Sequence, residues 1–503
     1  MDNGNNAKRW PVAVIIIAAV VIAAAALIYA YRDAPGSLPA QAISDDAGGV
    51  IVAWRDESGL YIQRVDASGL KLWGESGLLV KEIRTDFNPY APPHPLFTLI
   101  SDSHGGAIVT WENRANYPGE DDVFHIDVYS QRINAEGELL WGGGILTGRT
   151  ERIGGAGYQM IPDGTGGIIF AWDDFEPYYR SLHDDYLRLQ RIAADGELSW
   201  GDEGVLVVAS SPFREVTLEE TAAGVKGNST RARPTYEGKH YIVTDGGGGV
   251  IVLWEEDTGG EDDRVYAQRL DGGGSYVWTD RVTTAATDLI SAESDGEGGV
   301  KIGTPLVTNT PAGAVQVYAH INGDGEVLPT SNWAPQYTST IQVLGGSFRV
   351  RFEEDPPSVN PMQRRTIIYI QRLDETGQPM WPEKRIVNPP EKVQLRNINY
   401  LSDGDGGAII VWQLQKDSLP YGNIMAQRLD SSGALRWGEV GMPVFAIPGI
   451  RYQSGVATLG DGSGGIIALA VLGRDGLSGD MVYAQRLDIN GNRLWDGGVR
   501  LDR

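Results

Sequence analysis

Residues Leu401–Trp437 read LSDGDGGAIIVWQLQKDSLPYGNIMAQRLDSSGALRW and contain the unit from which most of the chain is built. The unit begins with an Asp-x-x-Gly-Gly motif, continues with an apolar run that ends in Trp412, and then varies in length. A Gln-Arg pair, an Asp-x-x-Gly motif and Trp437 complete it. Because Asp can accept hydrogen bonds from its own turn and Gly tolerates positive φ, both motifs predict tight turns between strands.

The unit recurs eight times with a period of about 60 residues. The Gly-Gly pairs that open the apolar runs are Gly48-Gly49, Gly105-Gly106, Gly166-Gly167, Gly248-Gly249, Gly298-Gly299, Gly345-Gly346, Gly406-Gly407 and Gly464-Gly465. The Gln-Arg pairs are Gln63-Arg64, Gln131-Arg132, Gln190-Arg191, Gln268-Arg269, Gln371-Arg372, Gln427-Arg428 and Gln485-Arg486. The fifth unit has the degenerate stretch Tyr318–Asn322 in place of this pair, and the sixth lacks the first turn Asp.

Four strands are predicted in each unit, and in the second unit they are Leu96–Ile100, Ala107–Trp111, Val128–Ile133 and Glu138–Trp141. Tandem four-stranded units of this length are typical of propeller blades, although a solenoid is an alternative. The fold prediction is therefore all-β, an eight-bladed β-propeller of four-stranded blades, preceded by one N-terminal transmembrane helix. In such blades both tight turns lie on one face, and the variable loops lie on the other.

The amino-terminal region predicts a membrane anchor. Val12–Tyr31 is uncharged and long enough to span a bilayer core of roughly 30 Å. Lys8 and Arg9 precede it, which places the amino end in the cytoplasm. The predicted divisions are a cytoplasmic segment 1–11, a signal anchor 12–31, a tether 32–40 and a propeller 41–503, outside the cell or in the periplasm. A cleaved signal peptide is the alternative, with its nearest Ala-x-Ala at Ala40–Ala42.

The composition limits the chemistry. Cysteine is absent from the 503 residues, which excludes disulfides, a Cys nucleophile and Cys-ligated zinc. The net charge of −24 repels phosphate backbones, so no nucleic-acid partner is expected.

The repeat resembles exported bacterial β-propeller proteins of mostly unassigned function, which share a D-G-x-G-G…W…Y-A-Q-R-L-D-x-x-G-x-x-x-W pattern. This resemblance covers about Ala42–Arg503 and implies a fold and a location, with little about activity. The second half of the unit is also distantly similar to the tryptophan-docking repeat of quinoprotein dehydrogenases and eight-bladed assembly scaffolds, most closely at Asp374–Trp381. Those dehydrogenases carry an adjacent Cys pair, which is missing here, so the scaffolds are the better analogy.

The repeated Trp residues are expected to pack between blades, because they recur. Twelve of the fourteen occupy two positions of the unit. Those that end the apolar run are Trp54, Trp111, Trp172, Trp254 and Trp412, and those that follow the second turn are Trp73, Trp141, Trp200, Trp278, Trp381, Trp437 and Trp495. The Gln-Arg pairs are likewise expected to join blades, with Arg bonded to the turn Asp of the next blade. Sugar-stacking Trp platforms and anion sites at the Arg residues are the alternatives.

Three long loops, in units two, three and four, are unusually acidic and contain aromatic residues. Between Trp111, Trp172 or Trp254 and the following Gln-Arg strand, sixteen acids face four basic residues. Exposed aromatic clusters are typical of binding surfaces. The predicted binding residues are Glu120, Asp121, Asp122, Phe124, Asp173, Asp174, Tyr178, Tyr179, Asp184, Asp185, Glu261, Asp262 and Asp263. Solvated loops without a partner are the alternative.

The functional prediction is a membrane-anchored extracytoplasmic propeller that binds a protein or glycan in the cell envelope through this acidic, aromatic face. The alternative is a propeller enzyme, either a glycan hydrolase or lyase or a quinoprotein-like oxidoreductase, with its site over the central channel. A structural component of the envelope is a third interpretation. No catalytic residue and no cofactor are predicted, although Ca²⁺ in the Asp-rich turns and a transition metal at His125 and His183 are alternatives.

Overall fold

The computed structural model describes residues 40–56, 58–82, 97–115, 125–150, 158–175, 185–209, 235–257, 264–284, 289, 291–310, 313–328, 338–343, 346–355, 365–374, 378–387, 393–416, 423–448, 450, 452–473 and 481–502. Every helix or strand among them is a β-strand, which confirms the all-β prediction. No helix in these ranges is long and apolar enough to cross a membrane, and Val12–Tyr31 lies outside them.

The strands form eight four-stranded antiparallel sheets, each in sequence order. Sheets one and two contain β1 (Ala40–Ser44), β2 (Val50–Arg55), β3 (Gly59–Val65), β4 (Leu78–Glu82), β5 (Phe97–Ser101), β6 (Ala107–Ala115), β7 (His125–Ile133) and β8 (Ile145–Thr150). Sheets three and four contain β9 (Tyr158–Pro162), β10 (Ile168–Phe175), β11 (Asp185–Ile192), β12 (Val205–Ala209), β13 (Thr235–Thr244), β14 (Val250–Asp257), β15 (Arg264–Leu270) and β16 (Val282–Thr283).

The second half of the chain repeats this arrangement. Sheets five and six contain β17 (Ser291–Ser294), β18 (Val300–Thr310), β19 (Gly313–Ile321), β20 (Val327–Leu328), β21 (Thr338–Val343), β22 (Gly346–Asp355), β23 (Arg365–Leu373) and β24 (Lys384–Val387). Sheets seven and eight contain β25 (Val393–Ser402), β26 (Ala408–Lys416), β27 (Ile424–Leu429), β28 (Met442–Pro443), β29 (Tyr452–Gly460), β30 (Ile466–Gly473), β31 (Met481–Leu487) and β32 (Val499–Arg500).

The turn between the first two strands of a sheet forms as the sequence predicts. In sheet one, Asp45 Oδ1 accepts hydrogen bonds from the backbone N–H groups of Ala47 and Gly49, at 2.9 and 2.7 Å. Gly48 has φ +83°, a conformation that costs other residues steric strain. The turn therefore needs only local hydrogen bonds and one flexible residue.

The fourth strand lies further along the chain than predicted. In sheet two Glu138–Trp141 was expected to form it, but that segment has only one isolated bridge, between Ile133 and Leu139. The strand β8 begins at Ile145. The reason is that Gln131 Oε1 accepts a hydrogen bond from the backbone N–H of Trp141 at 2.8 Å, which turns this indole toward the next sheet before the strand starts.

Buried apolar clusters join neighbouring sheets. One such cluster lies at each of the junctions one–two, two–three, three–four, four–five, six–seven, seven–eight and eight–one. Strand β6 of sheet two packs against sheet one with one face and against sheet three with the other. Its apolar residues are therefore buried on both faces. Within the described residues, no such cluster joins sheet five to sheet six.

The last sheet packs against the first. Leu501, after β32, is fully buried in the same cluster as Ala42 of β1. Arg486 Nη1 and Trp495 Nε1, both of sheet eight, donate to the carbonyl oxygen of Ala67 in sheet one at 3.0 and 3.2 Å.

Candidate functional site

The Gln-Arg pairs stabilise the end of the sheets that carries the tight turns, in a way that differs from the prediction. Each Arg was expected to bind the turn Asp of the next sheet, but it binds the Asp of its own sheet, as in the 3.0 Å pair of Arg486 with Asp461. The same pairing occurs in six sheets, at Arg64–Asp45, Arg132–Asp102, Arg191–Asp163, Arg269–Asp245, Arg428–Asp403 and Arg486–Asp461. The contact to the next sheet is made instead to a backbone carbonyl.

In five sheets, one carbonyl oxygen of the second turn accepts both an arginine and an indole from the preceding sheet. Ala135 O, in sheet two, accepts from Arg64 Nη1 at 3.2 Å and from Trp73 Nε1 at 3.1 Å, both in sheet one. The same double contact is made to Ala194 O, Gly272 O, Gly323 O and Ala67 O. The interpretation of these Trp and Arg residues as joints between sheets is confirmed.

The fifth sheet keeps the pairing with a different residue. His320 occupies the Arg position, and its Nε2 lies 2.8 Å from Asp295 Oδ2. Burial raises the pKa of Asp295, but hydrogen bonds from His320 and from its own turn more than offset this and leave the pKa below its usual value. The imidazole is too short to repeat the long reach of an arginine, so this pair stabilises its own sheet.

The opposite end of sheets two, three and four carries the three acidic loops. The strand pairs β6–β7, β10–β11 and β14–β15 end there, at Ala115 and His125, at Phe175 and Asp185, and at Glu256 and Arg264. Buried clusters join sheet two to sheet three and sheet three to sheet four. The three loops therefore leave neighbouring sheets at the same end.

Most predicted binding residues lie outside the described ranges, namely Glu120, Asp121, Asp122, Phe124, Tyr178, Tyr179, Asp184, Glu261, Asp262 and Asp263. Asp174 and Asp185 are paired with Tyr186 and Phe175 in the β10–β11 ladder, and only their backbone is described. Asp173 was predicted to face a partner, but it is 3% exposed, and its Oδ1 lies 3.1 Å from Nδ1 of the buried His240. The reason is that strand β10 continues past Trp172 and turns the next side chain into the junction with sheet four.

Five of the sixteen acids assigned to the loops are in fact buried at the strand ends: Glu112, Asp127, Asp173, Glu255 and Glu256. Burying a carboxylate is costly unless it is paired or hydrogen-bonded. Asp173 and Glu255 have partners in the adjacent sheet, His240 and the backbone N–H of Leu289, whereas Glu256 is paired within its own sheet with Trp254 and Arg281. Eleven acids therefore remain for the loop surface.

The residue after the first Trp of a unit contacts the inner strand of the next sheet. Glu255 accepts a hydrogen bond from the backbone N–H of Leu289, just before β17, and forms a 2.9 Å ion pair with Lys239. In sheet seven, Gln413 Nε2 donates to the carbonyl of Gln453 in β29 at 2.5 Å. These contacts join the sheets at the loop end, as the Arg and Trp contacts do at the turn end.

Buried ionisable groups at this end have shifted pKa values. Burial raises the pKa of Tyr158, at the start of β9, well above its usual range, and the negative charge of Glu112 raises it further. Burial also lowers the pKa of Arg55, at the end of β2, to about 10. Both groups keep their ordinary protonation state near neutral pH, so they act as structural supports for the loops.

No group of three or more His, Asp or Glu residues that could hold a metal ion occurs in the part of the chain that the structure describes. The predicted calcium turns have a simpler explanation, since Asp403 Oδ1 accepts from the backbone N–H groups of Asp405 and Gly407 at 2.9 and 2.6 Å. His125 has only its backbone described, and His183 lies outside these ranges.

Sequence reasoning did not identify a cavity of about 260 Å³ between the outer parts of sheets three and four. Its polar lining includes Glu256, Gln268 and Arg281. The available signal was that Arg281 and Tyr276 have no counterpart of the same type at these positions in sheets two, three and seven.

Comparisons with known proteins assign neither a family nor an activity to the chain. No family model and no curated protein matches the chain. Solved structures with a similar arrangement include a puromycin hydrolase complexed with PGG (12% identity, TM-score 0.40, 91% of this chain and 60% of that one). The polysaccharide lyase Uly1 has 10% identity and a TM-score of 0.39, over 80% and 92% of the two chains. The β-propeller domain of the trilobed protease from Pyrococcus furiosus has 9% identity and a TM-score of 0.32, over 67% and 92%.

The chain spans only 60% of the hydrolase to which it is similar. All three identities are far below the level at which a shared activity is inferred.

Proposed function

We propose that the eight sheets close into one eight-bladed β-propeller that acts as a binding module for a cationic partner, through the loops of sheets two, three and four. The observation that supports it most directly is the position of β6–β7, β10–β11 and β14–β15, which end side by side on three adjacent sheets. Carboxylates carried together on one surface repel one another, and a cationic partner relieves that repulsion.

Closure of the propeller is supported by the contact of sheet eight with sheet one through Ala67, Arg486 and Trp495. Contacts of the same kind join sheet one to two, two to three, three to four and four to five. A closed ring of sheets requires a contact between the last sheet and the first, and the contact of sheet eight with sheet one is of the same kind as those between sheets one to five.

Binding, and not catalysis, is supported by the inner strands near the loops. A channel enzyme needs accessible polar groups there, but Tyr158 and His240 are 4% and 3% exposed. Their contacts are with carboxylates of the preceding sheet, Glu112 and Asp173. These two polar groups therefore serve the junctions between sheets.

The location that we propose is the cell envelope, with Val12–Tyr31 as a single-pass anchor and the propeller outside the cytoplasm. The resemblance to exported bacterial propellers supports this location. External protease should then digest the propeller in intact cells while a cytoplasmic marker survives. Amino-terminal sequencing of the mature protein that begins at Gln41 or later would show a cleaved signal instead.

The binding proposal is tested with a short polylysine peptide and isothermal titration calorimetry at low and at physiological ionic strength. Combined Asp121→Asn, Asp122→Asn, Asp262→Asn and Asp263→Asn should weaken binding by about tenfold, since exposed ion pairs contribute up to about 1 kcal/mol each. Binding to the unchanged protein should also weaken with salt, because exposed charges are screened within about 10 Å at 0.1 M.

A matched control removes four exposed carboxylates elsewhere on the sheets. Glu75→Gln, Asp202→Asn, Glu297→Gln and Glu439→Gln change the net charge by the same amount, at exposed positions near the turn end. This control should bind the peptide nearly as well as the unchanged protein. Equal losses in both variants would show that only net charge attracts the peptide, and would contradict a localised binding face.

A further inference from the structure

The cavity between sheets three and four is built from residues that depart from the repeat. Val207 and Val208 of β12 form one wall, and Trp254, Tyr276 and Gln268 of sheet four form the other. Tyr276 Oη donates to the carbonyl oxygen of Leu206 at 2.9 Å, which bridges the two sheets beside the cavity. Its volume of about 260 Å³ exceeds that of eight water molecules at roughly 30 Å³ each, enough for one sugar-sized ring.

Glu256 supplies a buried carboxylate to the cavity. The residue is 3% exposed, and its Oε1 accepts from Trp254 Nε1 at 2.9 Å and from Arg281 Nη1 at 2.5 Å. Arg281 is itself held over the ring of Tyr266, with 4.0 Å between its guanidinium carbon and the ring centroid. Glu256 Oε2 makes no hydrogen bond to any residue in the described ranges, so it is an acceptor on the cavity wall.

Gln268 supplies a donor on the same wall. In sheet one the equivalent Gln63 accepts from the backbone N–H of Trp73 and donates its Nε2 to Gly74 O at 2.5 Å, and sheets three and seven repeat both bonds. Gln268 is 6% exposed, and within the described part of the chain it only accepts one bond, from the backbone N–H of Arg269. Its amide NH₂ group is a nine-tenths buried donor without a protein partner in those ranges, on a residue that lines the cavity.

Seven units have a described β-bridge after the second turn, and among them only unit four combines Tyr276 with Arg281. At the position of Tyr276 the other described bridges have Lys71, Leu139, Leu198, Pro379, Leu435 and Arg493. Three residues after the second Trp, where unit four has Arg281, the other units have Ser76, Gly144, Glu203, Lys384, Val440 and Gly498. The other units therefore maintain the repeat without this set of residues.

We infer that this cavity binds a neutral polyhydroxylated ring, such as a single hexose or the terminal sugar of a glycan. The Glu256–Arg281 pair has no net charge, so it attracts neither a cation nor an anion. Hydroxyl groups at different positions of such a ring can donate to Glu256 Oε2 and accept from Gln268 Nε2. Tyr276, which is 49% exposed, offers aromatic surface for the apolar face of the ring.

The test uses the methyl glycosides of glucose, galactose and mannose, added to the whole protein and followed by two-dimensional ¹⁵N–¹H NMR of the tryptophan indoles. The Trp254 indole N–H, which donates to Glu256, is assigned by the loss of its signal in Trp254→Phe. At least one glycoside should shift this signal in a saturable way and leave the indole of Trp495, at the eight–one junction, unchanged. No shift with any of the three at high millimolar concentration would overturn the proposal.

Two variants that restore the pattern of sister units show whether the cavity residues are responsible. Tyr276→Leu introduces the residue present at Leu139, Leu198 and Leu435 and should leave the fold intact. Arg281→Ser introduces the residue of Ser76 but removes the cation paired with the buried Glu256, so it should lower stability, and circular dichroism checks that this variant is folded before it is titrated. Each should raise the Kd of the glycoside about tenfold, whereas Arg493→Leu, at the Tyr276 position in sheet eight, should leave it unchanged. Unchanged affinity in both cavity variants would overturn the site.

The chemical class is tested separately from the acidic loops. Acetate and methylammonium ions should not shift the Trp254 indole, and a saturable shift with either ion but with no glycoside would overturn the neutral-ligand proposal. The variant with four neutralised loop carboxylates should bind the glycoside as the unchanged protein does. Because polylysine binding and glycoside binding use different residues, either can fail without the other.

Discussion

The junction between sheets eight and one and the junction between sheets six and seven perform the same task with different contacts. At the first, Trp495 and Arg486 both donate to Ala67 O, and Arg486 is also paired with Asp461. At the second, the unit lacks its turn Asp, and Arg372 donates instead to the carbonyl of Gly406. The regular junction therefore has an arginine that its own turn Asp holds in place and that shares one carbonyl with an indole, whereas the altered junction has no such Asp and its arginine donates to a different turn.

The indole and a neighbouring lysine also differ at the altered junction. Trp381 Nε1 is buried and makes no hydrogen bond to any described residue, unlike Trp495 Nε1. Lys384 Nζ donates to the carbonyls of Ser432 and Gly433 at 3.1 Å each and lies 4.7 Å from the centroid of the Trp381 ring. A flexible cation thus takes the place of the two rigid donors.

Removal of the indoles should give the largest difference between the junctions. Trp495→Ala should lower the free energy of unfolding by about 3–5 kcal/mol, because it removes a buried aromatic side chain and its hydrogen bond. Trp381→Ala should cost about 2 kcal/mol, since this side chain is only half-buried. Urea denaturation measured by circular dichroism gives both values, and equal losses would contradict the comparison.

The ion pair between Arg486 and Asp461 in sheet eight should make the free energy of unfolding depend on pH in the acid range. Burial raises the pKa of Asp461, but hydrogen bonds from Ser463, from the turn and from Arg486 bring it below its usual value. A carboxyl whose folded pKa is depressed stabilises the protein above the unfolded pKa of about 3.9, and loses this effect as pH falls through the folded pKa. Asp461→Asn should therefore cost about 2 kcal/mol at pH 7 and much less at pH 2.

The measurement is urea denaturation at a series of pH values between these limits. Glu439→Gln is the control, because Glu439 is exposed at the turn end of sheet seven. It should change stability little at pH 7, as exposed charges contribute weakly. A cost for Asp461→Asn that is the same at both pH limits would show that the lost charge is not responsible.

Added methyl groups under the indoles should give a smaller effect. Gly69 has φ +92°, and a Cβ there would lie 2.8 Å from Cδ1 of Trp495. Gly69→Ala should cost about 2 kcal/mol, of which about 1 kcal/mol is backbone strain. Gly74→Ala, with φ +81° and open space around its Cβ, isolates the strain and should cost about 1 kcal/mol.

The same substitution at the altered junction sharpens the comparison. In Gly433→Ala the new methyl meets Lys384 Nζ and Cζ2 of Trp381, each at 2.8 Å, and the lysine end can move. Gly433→Ala should lower the free energy of unfolding by more than Gly74→Ala does and by less than Gly69→Ala does. Thermal unfolding followed by circular dichroism ranks all three, and a cost for Gly433→Ala above that for Gly69→Ala would contradict the greater adaptability of the altered junction.

The smallest expected difference concerns the indole hydrogen bond alone. Trp495→Phe keeps most of the aromatic area but removes the donor to Ala67, and should cost about 1 kcal/mol beyond the lost packing. Trp381→Phe removes a donor that has no partner among the described residues, so it should cost less. Urea denaturation at equal protein concentrations tests this, and a larger loss for Trp381→Phe would contradict the assignment.

The sequence was sufficient where the structure depends on contacts within one unit. The turn at Asp403 forms from its own backbone N–H groups, and the apolar runs predict the second strands, as in Ala107–Trp111 within β6. The packing role of the repeated Trp residues also followed from recurrence alone.

Contacts between units account for what the sequence did not predict. Asp173 follows Trp172 and resembles a loop residue in the sequence, but its partner His240 belongs to the next unit. The start of β8 depends on the hydrogen bond between Gln131 and Trp141. The acceptor that an Arg such as Arg132 finds in the next sheet is a backbone carbonyl, which a residue of any type can supply. Side-chain pattern alone therefore did not separate acids that join sheets from acids that face solvent.

The contacts at the turn end have a direction, because the donors always lie on one sheet and the acceptor on the sheet that follows it. Ala135 O accepts from sheet one, and Ala67 O accepts from sheet eight. A fragment cut between two sheets would carry unused donors at one end and an unused carbonyl at the other. Such fragments should join head to tail, so two separately expressed halves should reassemble, and a chain with a missing unit should recruit a second copy.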